Sequence, residues 1–354
     1  MSRFLKEQYK SLEVYTPGEQ PKDTEYIKLN TNESPFPPAP AVVDILGKAD
    51  VENLRLYSDP TLSTLKSKLA KLYDVEPANI FLSNGSDDIL NFAFMAFGHK
   101  GAIFPDITYG FYTVFAELHG VSYTEIPLRA DFTIDYKDYL GKDKLIVIAN
   151  PNAPTGDSRP LEEIEEIIRT NPDSVVVIDE AYVDFGGNSA YRLTEKYDNL
   201  LTVRTFSKSR SMAGARLGYA IGAKGLIEDL MRIKFSTNPY NINRLTTTLG
   251  EATVDAEDYY KEKCAEIIRV REFTAERLTA LGFEVLPSKT NFLFAKSPDI
   301  DGGKLYEELK KRNILVRHFT KEKICQFNRI TIGTQEQMEK LLLAVAEILK
   351  GEKI

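Results

Sequence analysis

Lys208 stands in the run Arg204-Thr-Phe-Ser207-Lys208-Ser-Arg-Ser-Met-Ala-Gly-Ala-Arg216, just after a short apolar stretch. A lysine amine forms a Schiff base with a carbonyl once its pKa is lowered. The neighbouring hydroxyls and Arg216 suit a phosphate. The same run also reads as a basic, solvated loop. Asp179 ends a second apolar stretch, Val175-Val-Val-Ile-Asp179-Glu180-Ala-Tyr182. An acid at the end of a buried strand is costly unless paired. Pyridoxal phosphate needs such an acid beside its ring nitrogen, to keep the ring an electron sink. The rivals are a Mg²⁺-binding acid, for which the chain has no GxxxxGK[ST] partner motif, and an acid facing water.

Three further groups join these. Asn84-Gly85-Ser86-Asp87 precedes an apolar helical stretch. Glycine before a helix N-terminus offers backbone N–H groups to an anion, or merely caps the helix. Asn150-Pro-Asn152-Ala-Pro-Thr-Gly156 follows a strand and, as a bare pattern, is a turn. Arg317 and Arg329 lie in strand-like segments near the C-terminus. Arginines capture carboxylate or phosphate bidentately, or form surface ion pairs.

The elements that carry these groups follow from periodicity. Leu62, Leu65, Leu69 and Leu72 recur at helical spacing, 87–97 reads as an apolar helix, and 160–170 as another. Short apolar runs at 101–104, 121–126, 145–149, 175–179 and 200–204 have strand lengths and suit a sheet covered on both faces. Alternating strands and helices predict an α/β fold with a mostly parallel central sheet between helices. After Arg244 come a long charged helix (257–281), strands at 291–295, 314–317 and 329–332, and a helix at 335–350. The division expected is an arm over 1–28, a large domain over 29–244 and a small α+β domain over 245–354.

Composition narrows the function classes. Of 354 residues, 43% are hydrophobic and 27% charged, which is ordinary globular composition. The 45 Lys and Arg against 52 Asp and Glu give a net charge of −7, which argues against non-specific nucleic-acid binding. No apolar run approaches the about 20 residues of a membrane helix. The first residues carry Arg3, Lys6 and Glu7 and no apolar core, so no signal peptide is read and a cytoplasmic protein is expected. Two Cys and three His without HExxH spacing offer neither a disulfide framework nor a metal centre.

The order of the motifs is more telling than any one of them. With NGSD, NPNAPTG, DEAY and TFSK in sequence, the chain resembles the fold type I pyridoxal-phosphate-dependent aminotransferases. Val14-Tyr15-Thr-Pro-Gly-Glu-Gln-Pro21, Lys28-Leu-Asn-Thr-Asn-Glu33, Arg55-Leu-Tyr57 and Asn328-Arg-Ile-Thr-Ile-Gly-Thr334 extend the likeness over nearly the whole chain and favour the histidinol-phosphate aminotransferase subgroup. The resemblance implies that Lys208 binds the cofactor and shuttles a proton, that Asp179 pairs with the ring nitrogen, and that Tyr182 bonds the ring's 3-oxygen. It implies Tyr109 stacked on the ring, and Ser86, Asp87, Thr205, Ser207 and Arg216 around the phosphate. It implies a homodimer in which the partner subunit's Tyr57 reaches that phosphate. Arg329, Arg317, Tyr15 and Asn32 match substrate positions. Many relatives have Asn where this chain has Ala153, so the 3-oxygen contact is assigned to Asn152 beside it. The implied reaction transfers an amino group from L-histidinol phosphate to 2-oxoglutarate, giving imidazole-acetol phosphate and glutamate. Same-fold alternatives are threonine-phosphate decarboxylation and aromatic amino acid transamination. A non-enzymatic alternative is a cofactor-binding regulator, which needs a DNA-binding module that the short arm does not supply.

Overall fold

The computed structural model describes residues 5, 9–10, 12, 18–20, 26–46 and 52–351. A two-residue strand, β1 (Ile27–Lys28), comes first. It is followed by β2 (Ile80–Ser83), β3 (Ala102–Pro105), β4 (Tyr123–Ile126), β5 (Leu145–Ala149), β6 (Val176–Asp179), β7 (Leu200–Thr205) and β8 (Gly218–Gly222). Beyond these lie β9 (Glu284–Val285), β10 (Phe292–Lys296), β11 (Ile314–Leu315), β12 (Arg317–His318) and β13 (Asn328–Thr331). A seven-stranded sheet has the order β2-β8-β7-β6-β5-β3-β4, and a four-stranded one the order β12-β13-β10-β9. In the larger sheet β3 to β7 run parallel, and β8 is antiparallel to both β7 and β2.

The central strands are buried along their whole length, so alternation sorts their side chains between two helical layers rather than between core and water. Val147, Val177, Leu201 and Val203 pack on helices 86–97, 111–119 and 224–237. Ile146, Ile148, Val176 and Ile178 pack instead on Ile164, Ile167 and Ile168. Those three isoleucines form one stripe of the helix Leu161–Thr170, whose first turn carries Glu162 and Glu163. Parity then dictates what the strand ends do. Asp179 shares the parity of Val177, and Thr205 that of Val203, so both turn toward helices 86–97 and 111–119.

The smaller sheet packs on helix Glu257–Ala280, which buries Ile267, Val270, Thr274 and Leu278. Arg271 of that helix is buried and donates from Nη1 to the carbonyls of Phe185 (2.9 Å) and Thr290 (2.7 Å), tying the two units together. The C-terminal helix Gln335–Lys350 opens with a capping box between Thr334 and Gln337.

The structure departs from the sequence expectations at several places. Strands β2 and β8 were not anticipated. The predicted strand 121–126 is an edge strand whose Tyr123, Thr124 and Glu125 are exposed, so it is not covered on both faces. Arg244–Asp255 forms its own helix before the long one. The predicted strand 314–317 is two strands in different sheets: β11 pairs with β1, while β12 pairs with β13. Through β1 the chain start is stitched to the C-terminal unit, with Leu29 bonded to Leu315 and Thr331.

Gly218 shows how tightly the larger sheet fits the site. A Cβ there would collide with the Ser86 amide nitrogen and lie 2.5 Å from the Gly85 carbonyl carbon, both backbone. Gly218→Ala is therefore expected to cost about 1–3 kcal/mol of stability in chemical denaturation, by overpacking. A loss under about 0.5 kcal/mol, the range of an ordinary surface change, would contradict this fit.

Candidate active site

The parallel strands β5, β6 and β7 end on one edge of the sheet, where open α/β sheets place their ligands. At the end of β6, Asp179 is 5% exposed. Its Oδ2 accepts the Tyr112 hydroxyl at 2.8 Å and its Oδ1 the Ala181 N–H at 3.1 Å. Among the described residues no Lys, Arg or His forms an ion pair with it. Burial pushes its carboxyl up to about 6, while the two hydrogen bonds and the Lys208 charge hold it down less effectively. Tyr112 also meets the Tyr109 ring edge to face, at 5.7 Å and 82°.

Lys208 leaves the end of β7 on a short turn. Its Nζ donates to the Thr31 carbonyl at 3.2 Å and lies 5.9 Å from the Tyr182 ring centre. The Tyr182 hydroxyl accepts from Asn32 Nδ2 at 2.9 Å. Asn32 takes a left-handed backbone, φ 56°, which asparagine tolerates better than most residues. Thr331 of the smaller sheet and Asn291, just before β10, hold it there. The Thr331 hydroxyl accepts its N–H at 3.0 Å and donates to its Oδ1 at 2.9 Å, and Asn291 Nδ2 donates to its carbonyl at 3.0 Å.

Opposite Lys208, helix Ser86–Phe97 starts after Gly85, whose φ of 88° a side chain would strain. The helix N-terminus presents free N–H groups and partial positive charge. Arg216 lies across it, with Nη2 3.1 Å from Asp87 Oδ2 and Nη1 3.5 Å from Ser207 Oγ. The other oxygen of Asp87 accepts the Tyr109 hydroxyl at 2.7 Å. Ser86, Asp87, Tyr109, Asp179, Tyr182, Thr205, Ser207, Lys208 and Arg216 all line one cavity of about 150 Å³. It offers an anion cup, an aromatic wall, an amine and a buried carboxylate without a cation. Those four features fit pyridoxal phosphate: a flat ring with a phosphate, an aldehyde and a basic nitrogen.

This cavity opens into a larger one of about 950 Å³ through shared walls at Thr31, Tyr109, Ala153, Tyr182 and Lys208. Arg317 and Arg329 line the larger space and face each other across β12 and β13 in direct register. Their guanidiniums lie 5.8 and 5.9 Å from the Phe319 ring centre, and Arg329 Nη2 donates to the Asn30 carbonyl at 3.0 Å. Like charges directly opposite are destabilising in a sheet, so the pair is suited to an anion between them.

Not every expected residue joins these walls. Asn152 is fully buried and lines neither cavity. Its amide accepts from Thr108 Oγ1 and donates to the Ile107 carbonyl and Thr155 Oγ1, so it is engaged in holding its own turn, and Ala153 forms the wall instead. Tyr57 also lines neither; it is 79% exposed and stacks on Tyr240 at 4.5 Å. Tyr15 lies outside the described residues. Sequence reasoning missed Tyr112, Thr331 and Asn291. Tyr112 had a usable signal, a hydroxyl one helical turn after Tyr109; the other two had none, because only the fold brings them to Asn32.

The sequence model of the aminotransferase class I and II family matches residues 24–345. A histidinol-phosphate aminotransferase of Brachyspira hyodysenteriae is 50% identical over 354 residues, covering 99% of this chain and 100% of that protein. Another, from a Marinomonas species, is 49% identical over 350 residues, covering 98% and 99%. The solved histidinol-phosphate aminotransferase of Sinorhizobium meliloti, in complex with pyridoxal-5'-phosphate, superimposes with a TM-score of 0.87 over 100% of this chain and 99% of that one, at 24% identity. The chain belongs to the class I and II aminotransferases and, within them, to the histidinol-phosphate aminotransferase family.

Proposed function

We propose that this site exchanges an amino group between L-histidinol phosphate and 2-oxoglutarate, with pyridoxal phosphate as cofactor, in histidine biosynthesis. The observation that carries the reading is the position of Lys208, between an anion cup and a buried carboxylate and on the shared wall of the arginine-lined cavity. Bound cofactor supplies an aldehyde that takes up the amine and a ring that accepts electrons. The chain supplies the rest. The Asp179 carboxylate holds a proton on the ring nitrogen. The Lys208 amine removes the proton from the substrate's α-carbon and returns one on the other side of the exchange. The Tyr182 hydroxyl, aimed by Asn32, holds the ring oxygen. Tyr109 covers one ring face. Backbone N–H groups of Ser86 and Asp87, with Thr205, Ser207 and Arg216, bind the phosphate.

Arg317 and Arg329 take the distal anion of either substrate, phosphate in one and carboxylate in the other. Exposure of Tyr57 and its neighbours Leu54 and Leu56 supports a homodimer in which the partner subunit's Tyr57 serves this cup. No described helix is long and apolar enough to cross a membrane. Cys264 and Cys325 are free thiols, which fits a reducing cytoplasm.

Three outcomes test these roles. Lys208→Ala should abolish the visible absorbance of lysine-bound cofactor and cut glutamate formation by at least roughly 10²–10⁴-fold; turnover near the wild-type rate would refute the assignment. Arg329→Ala removes charge-assisted hydrogen bonds of roughly 1.5–3 kcal/mol, so KM for L-histidinol phosphate should rise about ten- to hundredfold. An unchanged KM would remove Arg329 from the substrate site. The third concerns pH in the cofactor-free protein. Asp179 keeps its proton in the fold until about pH 6, whereas the unfolded chain releases it near pH 4. The folded state then binds more protons between those values, so this group's contribution to stability falls as pH rises, by at most about 3 kcal/mol. Asp179→Asn lacks that slope. Its stability relative to wild type should climb from pH 4 to pH 7 in denaturant titrations, and parallel curves would contradict the buried-acid description.

A further inference from the structure

Beneath the Lys208 turn lies a cluster of charged side chains for which the transamination itself has no use. Arg204 has the parity opposite to Thr205, so it points away from the cofactor cavity, toward Tyr73 and Tyr219. Its side chain is 6% exposed. Nη2 pairs with Asp184 Oδ1, Nη1 donates to the Tyr73 hydroxyl at 2.7 Å, and Nε lies 3.8 Å from Glu180 Oε2. Asp184 caps this guanidinium from the solvent side and with its other oxygen accepts the Ser209 hydroxyl at 2.5 Å. Arg210 pairs with Glu257, and the Cys264 thiol lies 4.0 Å from the Ser209 carbonyl. Among the described residues, these charged and polar groups face the underside of the turn.

The connection is a closed bracket. Arg204 sits at the end of β7 and Ser209 just past Lys208, so Arg204, Asp184 and Ser209 join the two limbs of the turn that carries Lys208. Asp184 also lies in the segment that follows Asp179, so the same carboxylate ties the lysine turn to the loop of the ring-nitrogen partner. Neither Asp184 nor Ser209 lines either cavity. We infer that Asp184, acting through Arg204 and Ser209, is a positioning residue that fixes Lys208 relative to Asp179 for proton transfer. The inference rests on the transaminase reading above. Its physical basis is that small misplacement of a reacting group lowers rate far more than binding.

The test compares wild-type holoenzyme with Ser209→Ala, Asp184→Asn, the double variant and Ser209→Thr, which keeps the hydroxyl. Turnover of L-histidinol phosphate with 2-oxoglutarate, the pH midpoint of the bound cofactor's visible absorbance, and the melting temperature are read for each. Ser209→Ala should lower kcat roughly fivefold and Asp184→Asn roughly tenfold or more, the loss of one hydroxyl–carboxylate hydrogen bond and of the carboxylate's charge beside Arg204, with KM within about twofold. The absorbance midpoint should move in both, Ser209→Thr should restore it, and the double variant should be no slower than Asp184→Asn. If Asp184→Asn does not fold, the Ser209→Ala and Ser209→Thr pair decides alone. Wild-type kcat and midpoint in Ser209→Ala, or a loss that tracks melting and is not rescued by Ser209→Thr, would overturn the inference. Absence of turnover in the wild type would instead overturn the transaminase reading.

Discussion

A carboxylate buried without a cation is the constraint around which this molecule is built. Asp179 is nearly inaccessible, accepts two hydrogen bonds from its own chain, and forms no ion pair among the described residues, with the Lys208 charge offsetting its burial only in part. Such a group is tolerated only if it takes up a proton or acquires a partner. In the proposed function a protonated ring nitrogen is that partner, and cofactor binding would convert an electrostatic liability into an anchor. The surrounding fold makes the arrangement possible. Three parallel strands ending together put Asp179, the Lys208 turn and the 150–156 turn on one edge, and strict alternation aims Asp179 and Thr205 at the same helical layer.

The second unit does more than cover the first. Thr331 of its strand β13 and Asn291, just before β10, fix Asn32, which in turn orients Tyr182 beside Lys208. Strand β13 also carries Arg329, in register with Arg317. In the proposed function substrate recognition and ring orientation therefore share one small sheet, and Arg271 locks that sheet's helix onto the loop after Tyr182. Movement of the small unit would disturb both functions together, a coupling that neither sheet alone explains.

Much of this was legible in the sequence, for identifiable reasons. Motifs at strand ends were readable because the strands are continuous apolar runs and the polar residues after them are punctuation; DEAY, TFSK and NGSD all fall where the strand and helix signals place them. Strand β8 was not readable, because Gly218 and Gly222 bound it and three intervening residues carry no distinctive pattern. The 314–317 run was read as one strand because periodicity reports strand character and not the pairing partner; β1, far away in sequence, captures half of it. Asn152 illustrates a different limit. Its side-chain chemistry suited a cofactor contact, but which groups it meets depends on the turn, and the turn directs it to Thr108 and Thr155. Tyr112 was legible in principle and overlooked, since an aromatic on an apolar helix face is usually core, and this one is both core and a hydrogen-bond donor to Asp179.

The most direct measurement is a single half-reaction. Purified protein loaded with pyridoxal phosphate is mixed with L-histidinol phosphate alone, and the visible spectrum is followed. Full conversion of the cofactor to its amine form, reversed by adding 2-oxoglutarate, is the predicted result. A spectrum that stays unchanged, or a conversion that 2-oxoglutarate does not reverse, would contradict the assigned reaction.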